Sequence, residues 1–197
     1  MPIRTRSRIA PLFSALAALL AVGNASADGH MSAQVGGFVP WSGDAGIMTS
    51  VQLLGSGASG RSRWGAEFEY RGFDTKIQGV SNVDVSSYVV RAIWQYHFRP
   101  DAVATPYIGL GMGVTINDVD NDEVNDALGY HARDQVGAGL DGIFLLGISV
   151  NIPGAEYMSV FAEGRVGMAF DASGGNGDVD VEGVGGASGS AGLRFRF

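Results

Sequence analysis

Residues 83–98 admit one regular conformation. Tyr88, Val90, Ala92, Trp94, Tyr96 and Phe98 take every second position, with Ser87, Val89, Arg91, Ile93, Gln95 and His97 between them. A helix would scatter both sets around its circumference, whereas a strand gives each set its own face. The same period of two recurs from Gly29 onward in segments bounded by Gly, Pro, Asn or Asp. It predicts strands near 31–39, 46–55, 62–73, 83–98, 105–117, 134–150, 156–170 and 184–197. In the third, Trp64, Ala66, Phe68 and Tyr70 oppose Glu67, Glu69 and Arg71; in the fifth, Ile108, Leu110, Met112, Val114 and Ile116 oppose Tyr107, Gly109, Gly111, Gly113 and Thr115. Asp141 in the sixth, and Phe161, Glu163 and Arg165 in the seventh, fall on the minor face. At 197 residues the chain is one domain, long enough for a small closed barrel and too short for a large porin.

The first 27 residues follow a different rule. Arg4, Arg6 and Arg8 precede an apolar run from Ile9 to Val22, and Ala25-Ser26-Ala27 offers small residues before Asp28. This is the pattern of a cleaved secretory signal, and the run is short of the ~20 residues that a spanning helix needs. The barrel domain is therefore expected over 28–197. Nothing later could cross a membrane as a helix, so a membrane-embedded product would have to cross as a closed sheet. Thirty-one glycines and no cysteine fit an exported β protein without disulfides. Of thirteen basic residues three lie in the leader, leaving twenty acidic residues in clear excess, which argues against a nucleic-acid partner.

A soluble barrel hides its apolar face and a membrane barrel shows it, and periodicity does not say which face points outward. Strand length and aromatic placement favour the membrane. Several strands exceed ten residues, enough to cross a bilayer at a tilt of ~45°. Large aromatics gather near strand ends on the apolar face: Trp64, Phe98, Phe195 and Phe197 toward one rim, Trp41, Tyr70, Tyr88 and Phe170 toward the other. Rings at both headgroup levels are expected of such barrels. Short links at Gly55–Arg61, Arg99–Ala104 and Asn151–Ala155 read as turns on one side. Links at Pro40–Ala45, Asp74–Asn82, Asp118–Arg133 and Asp171–Gly183 read as the outward connections, three of the four longer.

The chain ends in Gly192-Leu193-Arg194-Phe195-Arg196-Phe197, with Ala191, Leu193, Phe195 and Phe197 on one face and Ser190, Gly192, Arg194 and Arg196 on the other. An exported, glycine-rich chain of alternating strands that closes in this way resembles the small bacterial outer-membrane β-barrel proteins, the eight-stranded porin-like and surface-protein barrels. The resemblance covers the whole chain. It implies an all-β, eight-stranded antiparallel up-and-down transmembrane barrel, monomeric, set in outer-membrane lipid and lipopolysaccharide. It also implies that Leu193, Phe195 and Phe197 form the signal read by the barrel assembly machinery.

Such a barrel is only wide enough to be filled by side chains, and charges inside it must pair or be solvated. Glu67, Glu69, Asp141 and Glu163, with Arg71, Arg91, Arg165 and Arg194, share the inner face with Gln95 and His97. These residues are expected to form an internal salt-bridge plug, with Arg91 opposite Glu67 and Glu69 on the next strand. A narrow low-conductance channel is the alternative. Asp118-Val119-Asp120-Asn121-Asp122-Glu123 begins like a calcium loop but has Glu123 at the sixth position and Gly129 at the twelfth. It reads as an acidic surface loop, with weak divalent binding beside lipopolysaccharide phosphates as the second reading. No cofactor and no catalytic residue is expected. His30 and His97 lie near the terminal rim and His131 lies in the acidic loop without an adjacent serine. The His-x-Ser-Asn pattern of lipid A deacylases is absent, and a lipid-modifying enzyme built from separate strands is the second alternative.

Overall fold

The computed structural model describes residues 28–41, 43–77, 80–119, 135–171 and 185–197. They form strands β1 (Gly29–Pro40), β2 (Gly46–Ser56), β3 (Ser62–Ile77), β4 (Val80–His97), β5 (Ala104–Val119), β6 (Gln135–Ile152), β7 (Ala155–Asp171) and β8 (Gly186–Arg196). Each strand pairs antiparallel with its neighbours in sequence. β1 pairs with β8 from His30↔Arg196 to Pro40↔Gly186, which closes the sheet into a barrel. Closure leaves no free sheet edge. Both termini lie at one end, where Gly29 and Phe197 exchange two backbone hydrogen bonds of 2.9 Å. The connections at that end are short; the opposite, far end carries the longest ones, 120–134 and 172–185.

The apolar face points outward. Met31, Val35 and Val39 of β1, Leu110, Met112, Val114 and Ile116 of β5, Leu140, Phe144, Leu146 and Ile148 of β6, and Val160, Val166 and Met168 of β7 are exposed. The alternate positions are buried and carry most of the charge: Gln52, Glu67, Glu69, Arg71, Arg91, Gln95, Asp141, Glu163, Arg165 and Arg194. Lipid outside and polar groups inside is the membrane-barrel arrangement, the reverse of a soluble barrel. The interior is not uniformly polar. Leu54, Ile93, Tyr107, Ile143 and Leu145 pack together toward the termini, and Phe38, Met48, Phe73, Val85 and Val89 are buried toward the far end.

The strand boundaries differ most from expectation between β3 and β4. The link expected at Asp74–Asn82 is mostly strand, because pairing continues through Asp74↔Asp84 and Thr75↔Val83 to Ile77↔Val80. β-branched Thr75, Ile77, Val80 and Val83 favour the extended backbone there. Only 78–79 separate the two strands, so two outward connections, not three, are long. β5 likewise runs through Asp118 and Val119, the first residues of the acidic segment; the remainder of that segment lies outside the described residues, as do the leader, His131 and most of 171–183.

Glycine on the inner face makes room for large side chains. A Cβ at Gly111 would sit 2.9 Å from Ile143 Cγ1 and 3.3 Å from Arg91 Cδ, and one at Gly147 would sit 2.5 Å from the Tyr107 ring. The glycines of β5 and β6 are therefore steric complements of the arginine and the aromatic residue beside them.

Candidate functional site

Strand β3 supplies Glu67, Glu69 and Arg71 to the lumen, because its inner positions are every second residue. Register sets Arg91 of β4 directly opposite Glu67. Arg91 Nη1 donates to Glu67 Oε2 at 2.8 Å and to Glu69 Oε2 at 2.9 Å, and Nη2 donates to Glu69 Oε1 at 3.0 Å. Its Nε donates to Asp141 Oδ1 of β6. Arg71 bonds Glu69 Oε1 at 2.5 Å through Nε and reaches Asp141 Oδ2 at 3.3 Å through Nη2, with its guanidinium 4.8 Å above the Phe38 ring.

Arg165 closes the figure. It rises from β7, four strands from β3 in an eight-strand ring, and so stands on the opposite wall. Its Nη2 donates to Glu67 Oε1 at 2.6 Å and its Nη1 to Glu69 Oε2, while Nε bonds Glu163 Oε1 at 2.5 Å. One side chain thus ties the two walls together across the lumen. Four carboxylates meet three guanidinium groups, and neutral donors complete the carboxylates. Ser50 Oγ, Gln52 Nε2 and Gln34 Nε2 donate to Glu67 Oε1 at 2.8, 3.1 and 3.4 Å, and Tyr107 Oη donates to Glu163 Oε2 at 3.0 Å. Apolar residues lie on either side along the barrel, so the ion pairs sit in a low-dielectric slab, where each bond is strong and each missing partner costly.

Of the residues singled out from the sequence, Glu67, Glu69, Arg71, Arg91, Asp141, Glu163 and Arg165 come together in this cluster. Gln95 lies outside it, donating through Nε2 to Gln52 Oε1 at 3.3 Å. Arg194 is not brought into it: it bonds Gln95 Oε1 at 3.3 Å and stacks on Tyr107 and Phe161, nearer the termini. Sequence reasoning passed over Gln34, Ser50, Gln52 and Tyr107, whose inner-face parity with the charged residues was the available signal. His30 Nε2 lies 2.9 Å from Ser56 Oγ, a His–Ser pair at the terminal end among Arg63, Arg194 and Arg196.

Outside, Trp41, Trp64 and Phe98 are exposed and Tyr70 and Tyr88 half-buried. Tyr70 and Tyr88 pair at 5.4 Å between centroids toward the far end, and Trp64 and Trp94 at 6.3 Å toward the termini. Tyr157 joins the terminal set, and the Phe170 side chain lies outside the described residues. Leu193, Phe195 and Phe197 all face outward and are exposed.

Fold and lumen together define a class: a closed eight-stranded barrel, apolar outside and filled with charge inside. No protein-family model matches the chain, and no curated protein does. Among solved structures it is similar to Neisserial surface protein A, at 17% identity over 86% of this chain and 97% of that one, with a TM-score of 0.62. It is also similar to the outer membrane protein OprG from Pseudomonas aeruginosa (17% identity, 87% and 96% covered, TM-score 0.58). A third is Ail, the attachment invasion locus protein of Yersinia pestis (10% identity, 87% and 99% covered, TM-score 0.52). The chain has the fold of the small eight-stranded outer-membrane barrels.

Proposed function

We propose that this chain is a monomeric outer-membrane surface protein of structural or adhesive role, with a lumen closed to ions. The observation that carries the closed lumen is the pairing of Arg165 with Glu67 and Glu69 from the opposite wall. Three arginines shared among four carboxylates leave no continuous water path to expect in so narrow a barrel. With the lumen filled, what the protein offers its surroundings is its outer belt and its connections. The belt suits outer-membrane lipid, with the termini in the periplasm after removal of residues 1–27 and the long connections outside the cell. The adhesive side is supported by the attachment invasion locus protein, and the surface role by the Neisserial surface protein, both similar in fold. Asp120, Asp122 and Glu123, in the 120–134 connection, give that outward connection an acidic, solvated character.

Planar-bilayer recording tests the reading. The purified barrel is expected to give no unitary conductance steps; steady steps from the intact protein would replace the closed lumen with a channel.

A further inference from the structure

The lumen toward the termini is built differently from its middle. His30, Arg63, His97, Arg194 and Arg196 line a cavity of about 70 Å³, with exposed Glu156 as an acid on its lining. Arg196 also pairs with Asp28 at 3.1 Å. Arg194 and His97 are buried, at 2% and 0% exposure. Among the described residues, the buried side-chain nitrogens without a hydrogen-bond partner are Arg63 Nε, His97 Nδ1, Arg194 Nε and Arg194 Nη1. All four belong to side chains on this lining, whereas each carboxylate of the ion cluster is met by two or more donors.

The surrounding contacts hold these groups in place. The Arg194 guanidinium lies over the rings of Tyr107 and Phe161 at 5.2 and 4.8 Å, so its faces are covered and its N–H edge is what remains. His97 stacks on Tyr107 at 4.8 Å between centroids, 18° from parallel. Gln95 Oε1 accepts from both Arg194 Nη2 at 3.3 Å and His97 Nε2 at 3.2 Å. With its proton on Nε2, neutral His97 presents Nδ1 as an acceptor. The side chains on the lining thus hold three unpartnered N–H donor nitrogens, on two guanidinium groups, and one unpartnered acceptor. At about 70 Å³ the cavity holds several water-sized groups at roughly 10–15 Å³ each, room enough for the four oxygens of a phosphate.

We propose that this cavity binds a phosphate group in its singly protonated form, with the Arg63 and Arg194 N–H groups donating to its oxygens and its P–OH donating a hydrogen bond to His97 Nδ1. The site goes beyond the closed lumen and does not depend on it, since it lies on the terminal side of the ion cluster. Two sources share this chemistry, free phosphate and the headgroup of a monoester phospholipid at the membrane surface.

Calorimetric titration of the folded barrel in detergent with inorganic phosphate, at fixed ionic strength, tests the site. Saturable binding is expected, weakened about ten- to hundredfold by Arg194→Met and by Arg63→Met, as for loss of a charge-assisted hydrogen bond. Sulfate, which has the shape and no proton, should bind at least several-fold more weakly. Competition by short-chain phosphatidic acid would assign the site to a lipid headgroup, and its failure to compete would assign it to the free ion. Should Arg194→Met not fold, judged by heat-modifiable gel mobility, Arg63→Met carries the comparison, because Arg63 is only half-buried. No saturable phosphate binding by the folded parent, undiminished binding in the folded variants, or equal binding of sulfate would overturn the proposal.

Discussion

Arg91 has no exposed side-chain surface and touches three carboxylates on two other strands. Removing it leaves Glu67, Glu69 and Asp141 facing Arg71 and Arg165 alone. A buried carboxylate without compensation typically costs ~3–5 kcal/mol, so Arg91→Ala is expected to lose about that much in denaturant unfolding of the detergent-solubilised barrel. Glu163→Gln makes the opposite change. It removes one of four carboxylates, brings the cluster to three against three, and loses only its charged bonds with Arg165 and Tyr107. Its cost should be smaller, about 1–3 kcal/mol. If the two variants unfold alike, charge balance is not what organises the cluster.

At the scale of the strand, β8 has two inner-face arginines and an outer face of small and apolar residues, and it is held by β1 and β7. Phe197 lies past the last strand residue, yet its backbone bonds Gly29 in both directions, and its ring lies where a Cβ on Gly29 would be. Deleting Phe197 removes two closing hydrogen bonds and the outward aromatic. The heat-modifiable barrel recovered from outer membranes should fall several-fold, and undiminished recovery would show that Phe197 is dispensable for assembly. The alternation of Glu67, Glu69 and Arg91 was legible because the strand period is carried by the residues themselves, and residues paired across neighbouring strands share a face. That Arg165 reaches Glu67 and Glu69 was not legible. It depends on which strands face each other after closure, and no local pattern encodes that. Arg194 shows the same limit: its parity is that of the plug, but its height along β8 sets it beside Tyr107 and Phe161 instead. The Asp74–Asn82 segment misled for another reason, since its polar and glycine residues read as a link while its β-branched ones sustain pairing.

For the molecule as a whole, the ion cluster, the apolar layers on either side of it and the outward belt form one design. Wall-to-wall pairing resists collapse or widening of the barrel, and the belt sets its depth in lipid. If the long connections face outside, protease added to intact cells should nick within 120–134 and 172–184 and spare 57–61 and 153–154, the turns at the terminal end. Cleavage restricted to opened cells would reverse that orientation. The direction of the two faces and the closure of the lumen can be read together, because the chain contains no cysteine of its own. Met112 is 77% exposed on the belt, and Ser50 is 4% exposed beside Glu67. In the barrel embedded in vesicles, a lipid-soluble thiol reagent should label Met112→Cys, and a water-soluble one should label neither Met112→Cys nor Ser50→Cys until the protein is unfolded. Labelling of Ser50→Cys by the water-soluble reagent in the intact barrel would contradict the closed lumen, and labelling of Met112→Cys from water alone would contradict the outward apolar face.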